Sequence, residues 1–200
     1  MSRAAVGFRA HSGWTAMVVV AEPLNRPAVL RRQRVELAAD YERAMQPFHA
    51  AEGLPIEKAA ALILRSTEAA RALARRALRQ AKADLEKAGH ELVAGGLLLS
   101  SGRPLPELPK ILASHALIHA ADGELFRDAL RDESLGCGLA VTAVREREVF
   151  DHAAKALKVP ASELKRRLEG MRGELGPPWR ADEKLSTLAA WLALAARGKR

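Results

Sequence analysis

The stretch His90-Glu91-Leu92-Val93-Ala94-Gly95-Gly96-Leu97-Leu98-Leu99-Ser100 decides the architecture. It carries no charge after Glu91. Uninterrupted apolarity at this length marks a strand buried on both faces, hence one at the centre of a sheet. Ser100-Ser101-Gly102-Arg103-Pro104 ends it.

Upstream, Pro55 opens the longest helical signal, which runs to about Lys87 and stops at Gly89. Leu62, Ser66, Ala70, Leu73, Ala77, Ala81 and Leu85 form its apolar stripe, with Arg65, Arg71, Arg75, Arg76, Arg79 and Lys82 on the opposite side. Closer to the N-terminus, Ala4–Ala10 and Thr15–Ala21 read as a hairpin across His11-Ser12-Gly13-Trp14. From Ala28 to Leu37, Val29, Val35 and Leu37 alternate with Arg32, Arg34 and Glu36, the period of a half-exposed antiparallel strand. Residues 38–54 read ambiguously, as a connection that is functional, partly helical or mobile, with Phe48 and His49 in a packed loop or a lid. Downstream of the central strand come a helical zone over Pro106–Glu133, a short strand Leu139–Val144, and helices over Glu146–Lys158, Pro160–Glu174 and Asp182–Ala196.

Three antiparallel strands followed by strand–helix alternation predict an α/β fold with a mixed five-stranded sheet covered by helices on both faces. Residues 1–200 are expected to form a single domain. Its parts would be a three-stranded meander (1–37), a long helix (55–88), a strand-helix-strand-helix unit (90–158) and C-terminal helices (160–200). This order resembles the ribonuclease H-like superfamily, including the Holliday-junction resolvases. Leu188-Ala189-Ala190-Trp191-Leu192-Ala193-Leu194-Ala195 is similar to the Ala/Leu closing helix of the resolvase group.

The resemblance implies carboxylates that hold two metal ions: one on the first strand, one at the end of the fourth, and others on the closing helix. At those places this chain has Gly7-Phe8-Arg9-Ala10-His11, Leu98-Leu99-Ser100-Ser101, and Thr187 with Ala190, none of them acidic. Asp182 and Glu183 lie one to two turns earlier, as a displaced pair or, for Asp182, a helix cap. Cations and neutral polar groups are therefore expected where a nuclease of this superfamily keeps its acids.

Of the 200 residues, 48% are hydrophobic and only 4% aromatic, enough to bury a core packed largely by Ala and Leu. One cysteine, Cys137, leaves no internal disulfide and no cysteine-based zinc site. No apolar run approaches the ~20 residues of a membrane span, so a cytoplasmic protein without a membrane partner is expected. Thirty-two Lys and Arg against 24 Asp and Glu leave a formal charge of +8, the footprint of a nucleic-acid binder or of an arginine-rich composition.

Candidate phosphate contacts are Arg9, Ser100, Ser101, Arg103, Arg180 and Lys184, with Arg65, Arg75, Arg76 and Arg79 of the long helix. Separately, His115 and His119 stand at i and i+4 with Asp122 nearby. Read together with Leu108, Ile111, Leu112, Ile118, Leu125 and Phe126, they fall inside an apolar stripe. Such a pair can hold a metal with Asp122 as third ligand or supporting partner, perform acid–base chemistry, or be purely structural. No residue is assigned as a metal ligand and no cofactor is named.

Three functions compete. The first is a nucleic-acid-associated module lacking the two-metal site. The second is an enzyme using His11, His115 and His119, with Asp122 or Asp182 as an accompanying carboxylate, on a phosphorylated or nucleotide substrate. The third is a structural protein whose apolar final helix is buried in a homodimer.

Overall fold

The computed structural model describes residues 1–40, 43–100 and 104–198. Strands β1 (Ser2–His11), β2 (Trp14–Ala21) and β3 (Ala28–Glu36) form the antiparallel meander. After α1 (Pro47–Ala51) and α2 (Ile56–Lys87), strand β4 (His90–Leu99) lies parallel to β1. Helices α3 (Leu108–Leu112) and α4 (His115–Gly136) lead to β5 (Ala140–Arg145), parallel to β4. A 3-10 turn, Glu146–Glu148, precedes α5 (Val149–Leu157), α6 (Ala161–Gly170), α7 (Arg172–Leu175) and α8 (Ala181–Arg197). The sheet order is β3-β2-β1-β4-β5, which puts the uncharged stretch of β4 next to β1, inside the sheet as its apolarity requires.

Strand alternation sorts the core into two layers. Val6, Phe8, Met17, Val19 and Leu97 pack beneath α2 and α4, while Ala5, Val18, Val20 and Leu98 pack beneath α5, α6 and α8. On the second face, Gly7 and Gly96 are register partners. A Cβ on Gly7 would stand 1.9 Å from the Ser186 carbonyl oxygen, and one on Gly96 2.1 Å from that of Ala189. The backbone of α8 therefore rests directly on β1 and β4, which only a glycine pair allows. Residues 186–195 of α8 are all buried, covered by β1, β2, β4, β5 and α5. The all-round apolarity of this helix is thus satisfied within one chain and gives no reason for a homodimer.

One expectation changes, and one open reading is resolved. The helical zone is interrupted at Ala113-Ser114, so α3 and α4 do not share one helical wheel. The ambiguous connection contains α1, whose Phe48 and Ala51 are buried. Among the described residues, no helix is long and apolar enough to cross a membrane.

Candidate functional site

Arg9 and His11 share the face of β1 occupied by Ala5 and Gly7, and so point toward α8. The close seating of α8, reinforced by the Ser186 hydroxyl donating to the Ala16 carbonyl at 3.0 Å, carries Asp182 over both. Arg9 donates through Nε and Nη2 to the two carboxylate oxygens of Glu146, each at 2.8 Å, and through Nη1 to Asp182. His11 Nε2 lies 2.7 Å from the same Asp182 oxygen. The His11 ring stacks on Trp14 at 4.2 Å between centroids, and the Arg34 guanidinium lies 4.0 Å from the Trp14 ring centroid.

Hydrogen bonds that Arg9 donates to Glu146 outweigh burial and raise the Arg9 pKa. Burial pushes the Asp182 carboxyl up, but the hydrogen bonds and charges of Arg9 and His11 outweigh it and hold the group below the ordinary Asp range. Beside this cluster opens a cleft of about 610 Å³ lined by Arg9, Ser100, Arg127, Glu146, Arg147 and Phe150, among others. It lies at the C-terminal ends of β1 and β4, where ligands approach sheets of this kind.

The cluster modifies the expectation of cations and neutral polar groups: two carboxylates, Glu146 and Asp182, stand there with Arg9 between them. Arg9 therefore has its charge answered and does not present a free guanidinium to phosphate. Asp182 is no cap. It is Glu183 that accepts the Arg180 backbone N–H, at 2.7 Å. Thr187 and Ala190 are buried against the sheet. Lys184 is paired with Glu169 at 2.6 Å, and the Arg180 side chain is exposed. Ser101 and Arg103 lie outside the described residues. Trp179 is a core residue whose Nε1 donates to the Leu168 carbonyl at 2.6 Å.

On α2 the buried face is Ala59, Ser66, Ala70, Ala74, Leu78, Ala81 and Leu85; it keeps Ser66, Ala70, Ala81 and Leu85 of the predicted stripe and is turned from it toward Ala74 and Leu78. The rotation swings Arg71 and Arg75 toward α4, where Nε of each donates to the buried Glu133, at 3.0 and 2.6 Å. Hydrogen bonds from Arg75 are the main reason the Glu133 carboxyl lies below its usual range. Arg65, Arg76 and Arg79 remain exposed.

On the opposite side of the sheet, His115 and His119 are exposed, not inside an apolar stripe. The break at Ala113-Ser114 resets the helical phase, so Leu108, Ile111 and Leu112 say nothing about which face of α4 is buried. Their Nε2 atoms lie 3.1 Å apart. His49 of α1 joins them, its ring centroid 5.3 Å from that of His115 and 4.4 Å from that of His119. Asp122 is buried and bonds elsewhere: one oxygen accepts the Phe48 backbone N–H at 2.7 Å and the other pairs with His49 Nδ1. His11, facing α8, does not meet His115, His119 or Asp122, so the four do not form one catalytic site. The reading from sequence missed Glu146, Arg127 and Arg147 at the cleft and His49 at the histidine pair. The position of Glu146 directly after a parallel strand was the available signal for the first.

The sheet order and helix placement define a ribonuclease H-like fold. Structures of Thermus thermophilus RuvC share it. RuvC in complex with a Holliday-junction substrate superposes with a TM-score of 0.55 at 11% identity, covering 98% of this chain and 96% of that one. A second Thermus thermophilus RuvC structure gives 0.53 at 12% identity, with the same coverage. No protein-family model matches the chain, and neither does any curated protein.

Proposed function

We propose that this chain is a nucleic-acid-binding ribonuclease H-like module without the two-metal nuclease site, holding the phosphate backbone through arginine-rich surface. The observation that carries this reading is the Arg9 cluster. Two divalent cations held side by side need several carboxylates around them. Here Glu146 and Asp182 are both bound by one guanidinium. These residues do not fit a pair of metal ions.

The charge of +8 supports polyanion binding, as does the neighbouring fold captured with a Holliday junction. Arg76 and Arg79 on α2 are exposed and have no acidic partner among the described residues. Arg147, 73% exposed, stands at the cleft, and its one acidic contact among the described residues is Glu148 at 3.5 Å. Such side chains would grip phosphates without reading bases.

Titration of fluorescently labelled single-stranded, duplex and four-way-junction oligonucleotides tests the reading. Binding should weaken steeply with salt, and the joint variant Arg76→Ala with Arg79→Ala should flatten the salt slope by roughly 2. Absence of binding at low salt would overturn the binding half of the reading, and Mg²⁺-dependent cleavage the non-nuclease half.

A further inference from the structure

We propose that His49, His115 and His119 form a site for one zinc-class divalent cation with an open fourth coordination position. The site lies on the α4 side of the sheet, away from the Arg9 cleft, and does not depend on the nucleic-acid reading. One ligand atom from each of the three residues can be chosen so that all lie within 4.8 Å of one another. His115 and His119 bring theirs together because i and i+4 side chains stand one above the other on a helix. Their Nε2···Nε2 separation of 3.1 Å is close to the roughly 3.3 Å edge of a tetrahedron with metal–nitrogen bonds of about 2.0–2.1 Å. Two imidazole nitrogens that aim at each other must either share a proton or share a cation.

The third ring settles which use the geometry favours. His49 pairs through Nδ1 with Asp122, a carboxylate that accepts and cannot donate when ionised. His49 therefore donates from Nδ1 and keeps its lone pair on Nε2. A carboxylate fixing the tautomer of a ligating histidine is the usual support around a protein-bound metal. Asp122 is itself held by the Phe48 backbone N–H at 2.7 Å, so α1 and α4 are locked together and the three rings with them. Three neutral imidazoles suit zinc, copper, nickel or cobalt rather than magnesium or calcium. With His115 and His119 exposed, the fourth position faces solvent and would take water or a small anion.

Zinc titration calorimetry on the chelator-treated full chain, with Co²⁺ absorption as a readout of geometry, tests the site. One Zn²⁺ should bind per chain, and Co²⁺ should give the intense visible bands of four-coordination. His115→Ala with His119→Ala should abolish the saturable heat while leaving the thermal melt of the apo chain unchanged. Asp122→Asn turns an amide N–H toward His49 Nδ1, moves the ring proton to Nε2, and should weaken zinc by about 10–100-fold. If that variant unfolds, His49→Ala serves instead and should lose the Co²⁺ bands. Equal zinc binding by the double histidine variant, or no saturable binding by the unaltered chain, overturns the site.

Discussion

On the α8 side of the sheet, Arg9 has its charge answered by Glu146 and Asp182, and His11 is held between Asp182 and Trp14. On the α4 side, His115 and His119 face, among the described residues, each other and His49, while the nearby carboxylate, Asp122, is spent on His49 and the α1 backbone. Both regions mix histidine with carboxylate, yet only one leaves ligand atoms without an opposite charge. A polar side chain is available to a ligand when its neighbours have not already satisfied it, whatever its type.

The comparison can be broken most severely at the seat of α8. Gly7→Ala forces a Cβ into the Ser186 carbonyl, a backbone atom that cannot swing aside, and should cost at least about 3 kcal/mol in urea unfolding. If it costs less than 1 kcal/mol, α8 does not sit where the Arg9 cluster needs it. On the other side, Asp122→Ala orphans the buried Phe48 N–H and removes the partner of His49, and should cost about 2–3 kcal/mol by the same measurement. Arg9→Met leaves Glu146 and Asp182 facing each other. Because the cluster is partly solvated, the expected loss is about 1–2 kcal/mol, with zinc binding unaltered.

The pH response sharpens the same contrast. The folded-state pKa of Asp182 is depressed, so its contribution is fully present above the unfolded value of about 3.9 and is lost as pH falls through the lower folded value. Unfolding curves taken from neutral pH downward should show this acid loss in the unaltered chain and a smaller one in Arg9→Met. The smallest effect belongs to His115→Ala, an exposed position that should change stability by no more than about 0.5 kcal/mol. A larger loss would mean that the histidines hold the fold together rather than wait for a ligand.

Much of the architecture was legible because periodicity is local. The uncharged β4 stretch, the alternation in β3 and the glycine stop after α2 each announce themselves within about ten residues. The misread parts were those where a short-range pattern crossed a hidden boundary. A wheel drawn through Ala113-Ser114 buried two histidines that are exposed, and the α2 stripe was misphased because its small Ala residues give little contrast between faces. The candidate cleft was half legible. Strand ends pointed to Arg9, His11 and Ser100, but nothing near Arg9 in the chain announces Glu146 or Asp182.

From the sequence alone came the order of strands and helices, the basic balance and the adjacency of His115 to His119, since each follows from neighbours in the chain and the pitch of a helix. Tertiary structure alone decided which cations keep an unanswered charge, where the third histidine stands, and that Asp122 supports rather than joins it. Those outcomes rest on partners far apart in sequence. They meet only because Gly7 and Gly96 let α8 settle onto the sheet and because α1 docks its first turn on a buried carboxylate of α4.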